Sequence, residues 1–68
     1  MEDDKYSTAE LLRGGKLVAS GQLAEVKAQA QAGDELRAVR RNDGLTQGFE
    51  VLDGGTEGGL VFSMLPPD

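Results

Sequence analysis

The C-terminal half of the chain alternates apolar and polar residues in short runs that are typical of β-strands. The stretch TQGFEVLD, residues 46–53, places Phe49 and Val51 on one face. The stretch LVFSML, residues 60–65, is apolar at every position but Ser63 and ends at a proline pair, which cannot donate to a strand ladder. The pattern predicts two strands, joined by the glycine-rich loop DGGTEGG.

A further strand is predicted before residue 46, joined to its neighbour by a turn at Asp43-Gly44. Asp and Gly accept the positive φ that a two-residue type I′ turn requires. With these residues as the turn, Arg37 lies opposite Glu50. Two apolar pairs then share the other face, namely Ala38 opposite Phe49 and Leu36 opposite Val51. The sequence therefore predicts an antiparallel hairpin.

Two more turns can be placed upstream by the same reasoning. A turn at Ser20-Gly21 pairs Val18 with Leu23. A three-residue turn over 32–34 pairs Ala30 with Leu36, whereas a two-residue turn there would set Ala30 against a charged side chain. Together these turns predict that residues 22–32 form a strand.

The composition of residues 22–32 supports a helix instead. Ala, Glu, Lys and Gln favour helices, and Gly33 can end one. Helical spacing puts Leu23, Val26 and Ala30 on one side. Agreement among the turns favours the strand and propensity favours the helix, so both interpretations remain open.

The N-terminal stretch STAELLRGG, residues 7–15, is predicted to form a short helix. Ser7 can cap it, and Glu10 stands three residues later, which fits a capping box. Leu11 and Leu12 supply an apolar side, and the glycine pair ends the helix.

These elements predict a small β-rich single domain, an antiparallel β-meander or small barrel with a short N-terminal helix. The alternative is an α+β fold in which a second helix at about 22–32 packs on a C-terminal antiparallel sheet. Residues 1–6 are expected to be a flexible acidic terminus, and residues 7–68 the domain.

The small size of the chain indicates a need for added stabilisation. A chain of 68 residues buries only about 60% of the surface that its unfolded form exposes. It has no Cys and no His, so disulfides and the commonest metal ligands are lacking. Self-association or docking onto a partner is the remaining expected source of stability.

Charge and hydropathy narrow the classes of partner. The net charge is −5, and residues 43–68 hold acidic side chains but no basic one. Such a field repels phosphates, so no direct nucleic-acid binding is expected. No apolar run approaches the ~20 residues of a membrane span, and the acidic start does not resemble a signal peptide. We expect a soluble cytoplasmic protein without membrane contact.

The residue types argue against catalysis and against a cofactor. Nucleophilic catalysis needs a base beside the nucleophile, and the Ser and Thr residues have neither His nor Cys to assist them. Asp53 and Glu57 could offer oxygens to Ca²⁺, but the spacing of a calcium loop is missing. The loop that holds them also lacks the Lys of a phosphate-binding loop. We predict no enzymatic activity, no metal and no cofactor.

Two groups of residues are candidates for partner contacts. The basic cluster of Arg37, Arg40 and Arg41 could bind an acidic partner, although local pairing with Glu50 and solvent is the favoured interpretation. The stretch 60–65 is apolar on both faces, and an exposed apolar strand is an association site. The predicted interface consists of Leu60, Val61 and Leu65 with Leu11 and Leu12 of the N-terminal helix.

The predicted function is that of a non-enzymatic protein–protein interaction module, with a homodimer or another protein seated beside residues 60–65. In size and charge the chain resembles the small accessory and inhibitor proteins of phages and mobile elements. The alternative is a structural subunit of a homo-oligomeric assembly.

Overall fold

A computed structural model describes residues 3–55 and 58–66. Its elements in chain order are a 3₁₀ turn (Asp3–Lys5), β1 (Tyr6–Arg13), β2 (Lys16–Gly21), α1 (Leu23–Gln29), β3 (Glu35–Arg40), β4 (Thr46–Asp53) and β5 (Leu60–Met64). The strands form one antiparallel sheet in the order β2-β1-β3-β4-β5. The protein is thus a small β-rich domain with one helix. Its sheet does not close into a barrel.

The N-terminal stretch is a strand, so the helix predicted for residues 7–15 is wrong. β1 alternates in burial, with Ala9 and Leu11 buried, and it pairs with β2 on one side and β3 on the other. Gly14 and Gly15 have φ of 61° and 81° and form a tight turn, not a helix end. Pairing on both sides outweighs the local capping pattern, because that pattern contributes only about 1 kcal/mol.

Residues 23–29 form a helix, which decides between the two interpretations of this segment. The predicted strand and the hairpin pairings about Ser20-Gly21 and 32–34 are wrong. The chain does turn at 32–33, where the N–H of Asp34 donates to the carbonyl of Gln31 at 3.1 Å. β2 and β3 both run antiparallel to β1, so they are parallel to each other, and joining parallel strands requires a crossover. α1 supplies it, with Leu23 and Val26 buried and Ala30 packed against the core.

The hairpin between β3 and β4 is confirmed, but its register differs from the predicted one by two residues. Leu36 lies opposite Phe49, and Arg37 lies opposite Gly48, not opposite Glu50. Residues 41–45 connect the two strands, and residues 41–44 of this connection form a four-residue loop. The N–H of Arg40 donates to the carbonyl of Leu45 at 2.9 Å and closes this loop.

The C-terminal pair of strands is confirmed. β4 and β5 pair with Val51 opposite Phe62 and Leu52 opposite Val61. Phe49 and Val51 are buried on the same face, as predicted.

The core lies between the sheet and α1, on what we call the helix-covered face; the other side of the sheet is the open face. Tyr6 and Phe49 meet edge to face in this core, with ring centroids 5.9 Å apart. Tyr6, which the sequence places in the acidic terminus, is thus buried in the core. The buried apolar residues are Tyr6, Ala9, Leu11, Leu23, Val26, Leu36, Ala38, Phe49 and Val51.

A candidate protein-binding edge

The strand β5 lies at one edge of the sheet and pairs with β4. In the described part of the chain no strand pairs with its other side. No residue of Leu60–Met64 carries a charge. Natural edge strands are commonly protected by charges, bulges or prolines, because an open edge can pair with another chain. β5 has none of these between residues 60 and 64.

Large apolar side chains of β5 are exposed to solvent. Leu60 is 37% exposed, Val61 50% and Met64 64%. Phe62 is partly buried against the core. A short strand with several exposed apolar side chains has the composition of a contact surface.

The helix-covered face of β5 extends past the helix. Leu60, Phe62 and Met64 lie on this face, opposite Asp53, Val51 and Phe49 respectively. The main packing of α1 is against β1 and β2. Towards β5 it extends Lys27, whose Nζ is 5.6 Å from the ring centroid of Phe62. Met64 thus belongs to the apolar face but remains exposed.

Leu65 continues the pairing of β5 with β4 beyond the strand. Its N–H donates to the carbonyl of Gly48 at 2.9 Å, and its carbonyl accepts Nε2 of Gln47 at 3.1 Å. Its side chain is half-buried over Gly48, on the open face. Leu65 therefore stabilises the β4–β5 pair, while Val61 on the same face is more exposed.

A wide groove of about 650 Å³ crosses the open face beside Leu65. Gly48 forms its floor because no side chain rises there between Arg37 and Leu65. Its wall is polar, with Nε of Arg37 donating to Oε2 of Glu35 at 2.6 Å. Antiparallel sheets often leave one face to water, which accounts for this polar surface. The lining residues are Glu10, Glu35, Arg37, Thr46, Gln47, Gly48, Leu65 and Pro66.

The three arginines of the predicted basic cluster do not converge. Arg37 pairs with Glu35, and Nη2 of Arg40 lies 2.7 Å from Oδ2 of Asp43. Nε of Arg41 donates to the carbonyl of Tyr6 at 3.1 Å. All three have local partners, as favoured from the sequence, but the partners differ from the predicted Glu50.

The structure does not bring Leu11 and Leu12 to the β5 edge. Leu11 is fully buried in the core, and Leu12 is half-buried on the open face opposite Leu17. Both belong to β1, and β3 and β4 lie between β1 and β5. Of the five predicted interface residues, Leu60, Val61 and Leu65 lie together.

Met64 is an exposed residue of the edge strand that the sequence pattern does not single out. Alternation placed it on the same face as Phe62, but the extent of the helix was unknown. One sequence feature indicates that Met64 is exposed: it lies at the end of a strand, shortly before a proline pair. Residues at strand ends are far from the middle of the sheet and are therefore less covered.

Within the described residues, the glycine-rich loop that begins at the end of β4 contains one of the two carboxylates considered as Ca²⁺ ligands, that of Asp53. No three His, Cys, Asp or Glu side chains are grouped as metal ligands within residues 3–55 and 58–66. Oδ1 of Asp53 accepts the N–H of Gly55 at 3.0 Å. Glu57, its predicted companion as an oxygen ligand, lies outside the described residues.

None of the helices in the described ranges has the length and apolarity needed to cross a membrane. Comparison of the chain with protein-family models, with curated proteins and with solved structures gives no match.

Proposed function

We propose that this protein is a non-enzymatic protein-binding module whose binding element is the open edge of β5. The observation that carries the proposal is the uncharged edge strand with exposed apolar side chains, above all Met64 and Val61. An extended segment of a partner can add to such an edge, with backbone hydrogen bonds giving affinity and side chains giving specificity.

The absence of His and Cys from the sequence supports a function without catalysis. The groove on the open face is wide and is lined by carboxylates, an arginine and neutral side chains. A cytoplasmic setting and an accessory or inhibitory role, like that of small phage-encoded proteins, are further parts of this proposal. They rest on size and charge.

The test compares affinity capture from a lysate of the source organism by the immobilised wild type and two immobilised variants. Met64→Lys places a charge on the β5 edge, and Leu17→Lys is the matched control because Leu17 is 55% exposed at the opposite edge. We expect the same protein to be retained by the wild type and by Leu17→Lys and lost with Met64→Lys. Retention by all three, or by none, would contradict the proposal.

A second candidate is a structural subunit whose assembly is its function. It is favoured by the presence of two edge strands, β2 and β5, on one small sheet. Light scattering of the isolated protein separates the candidates. A defined assembly of many copies supports the structural role, and a monomer or dimer supports the binding module.

A further inference from the structure

The backbone of β5 presents its free hydrogen-bonding groups at known positions. In an antiparallel ladder, the N–H and C=O groups of alternate residues point to the same side. The N–H of Leu65 donates to Gly48, and the carbonyl of Gly59 accepts the N–H of Gly54, both at 2.9 Å. Odd-numbered residues therefore point towards β4. The N–H and C=O groups of Leu60, Phe62 and Met64 point to the open edge.

The side chains of these three residues are apolar and lie on the helix-covered face of the sheet. Backbone groups and apolar side chains are thus presented together along one edge. The strand is self-complementary about Phe62: when a second copy runs antiparallel, Phe62 lies opposite Phe62, and Leu60 lies opposite Met64. All three pairs are then hydrogen-bonded pairs, with roughly six hydrogen bonds in total.

The charges restrict where a second copy can approach the protein. Each chain carries a net charge of −5, so two copies repel each other over most approaches. No charged residue occurs between residues 58 and 66, so pairing along β5 brings together the uncharged segments of both copies. Pro66, which has no N–H, limits the paired segment at its C-terminal end.

The other edge strand, β2, also exposes apolar side chains, Leu17 and Val18, but it is less suited to pairing with a second chain. β2 begins with Lys16, and its pairing with β1 is interrupted by a register shift between Leu11 and Leu12. A charge and an irregular register are both features that prevent edge pairing. β5 has a continuous register with β4 over its whole length.

We propose that two copies of this protein form a symmetric dimer through β5, with Phe62 opposite Phe62 and a continuous ten-stranded sheet. This inference rests on the proposed function, in which the β5 edge is the binding element. It adds that β5 of a second copy is the strand bound there. Only five residues of each strand take part, so the interface is small and the dimer is concentration-dependent.

The first experiment measures mass by sedimentation equilibrium between about 5 and 500 µM. The wild type should change from monomer to dimer over this range. Met64→Pro removes an N–H that faces outwards and leaves the β4 ladder intact, so it should remain monomeric with a circular dichroism spectrum like that of the wild type. Leu17→Lys, at the β2 edge, should dimerise as the wild type does. A wild type that stays monomeric at 500 µM overturns the inference.

The second experiment tests the register by cysteine crosslinking, since the chain has no natural cysteine. Hydrogen-bonded pairs have Cα atoms about 5.5 Å apart, which suits a disulfide. Leu60→Cys and Met64→Cys combined should give a covalent dimer on oxidation, and each single variant should not. Within one chain these positions are about 13 Å apart, too far for a disulfide. Crosslinking of Met64→Cys alone would show a different register and overturn the proposed one.

The two proposals fail separately. If the wild type is monomeric and Met64→Lys still abolishes capture of another protein, the binding edge stands and the dimer is wrong. If neither self-association nor capture depends on Met64, both proposals are wrong.

Discussion

Arg13 binds both carboxylate oxygens of Asp34 and so joins the end of β1 to the turn before β3. Its Nε and Nη2 donate to Oδ1 and Oδ2 at 2.8 and 2.9 Å. Asp34 is buried, and its Oδ2 also accepts the N–H of Gln31 at 2.9 Å. The hydrogen bonds from Arg13 lower the pKa of Asp34, against the opposing effect of burial. This carboxylate is therefore stabilised in its charged form.

We predict that Asp34→Asn destabilises the protein by about 1–3 kcal/mol at pH 7, because it leaves a buried hydrogen-bond network incomplete. The folded-state pKa of Asp34 lies below its unfolded-state value of about 3.9. Its contribution is therefore complete above about pH 4 and is lost as pH falls through the lowered pKa. Urea unfolding at pH 7, 5 and 3 measures the difference between wild type and variant.

The matched control for this prediction is Asp43→Asn. Asp43 also pairs with an arginine, Arg40, but the two side chains are 37% and 39% exposed. Exposed pairs contribute about 0–1 kcal/mol, so this variant should differ little from the wild type at any of the three pH values. An Asp34→Asn deficit that persists unchanged at pH 3 would contradict the assignment to the carboxylate.

The centre of the core is Leu36, which lies opposite Leu11 on one side and Phe49 on the other. Leu36 is fully buried, so Leu36→Ala should lower the free energy of unfolding by about 2–5 kcal/mol. Leu45→Ala is the control, because Leu45 is 58% exposed in a loop and should change stability by no more than about 0.5 kcal/mol. Equal effects of the two substitutions would contradict the position of the core.

The faces of the strands could be predicted from the sequence, but the register of the hairpin could not. Leu36, Ala38, Phe49 and Val51 are all buried. A slip of two residues leaves every side chain on its own face, so the apolar pattern fits both registers. The turn decides between them. Oδ1 of Asp43 accepts the N–H of Leu45 at 3.0 Å and supports a four-residue loop that the Asp-Gly pair did not indicate.

Local sequence signals favour the wrong element where pairing with neighbouring strands is strongest. Ser7 and Glu10 resemble a capping box, yet Glu10 lies between Ser20 and Arg37 of the neighbouring strands. The glycine pair after β1 was the missed evidence for a hairpin. The β5 edge was more predictable, because a strand apolar on both faces needs cover on both. The order of the strands could not be predicted, because it depends on the crossover through α1 between β2 and β3.

The glycine-rich loop contains one glycine that packing requires. A Cβ on Gly54 would lie 2.6 Å from the carbonyl oxygen of Gly58, which is backbone and cannot rotate away. Gly54→Ala should therefore destabilise the protein by about 1–3 kcal/mol. Thermal and urea unfolding measure the loss.

Gly48→Ala is the control for Gly54→Ala. A Cβ there meets a side-chain atom, Cδ1 of Leu65, at 3.4 Å, which is ordinary contact. Alanine also has less conformational entropy to lose than glycine, so this variant should be neutral or more stable by up to about 1 kcal/mol. Equal losses in both variants would indicate that the loop does not hold Gly54 against Gly58.

The glycine pair Gly14-Gly15 forms the turn of the β1–β2 hairpin, in the stretch for which the sequence predicts a helix. Gly14 has φ of 61°, and a Cβ there would meet no atom within 4 Å, so the backbone conformation alone sets the cost of substitution. Gly14→Asn should change the free energy of unfolding by less than about 0.5 kcal/mol, because Asn-Gly suits a type I′ turn. Gly14→Val should lower it by about 1–2 kcal/mol, since a β-branched residue is strained at positive φ. Urea midpoints at unchanged m-value measure both, and a Val variant as stable as the Asn variant would exclude this turn.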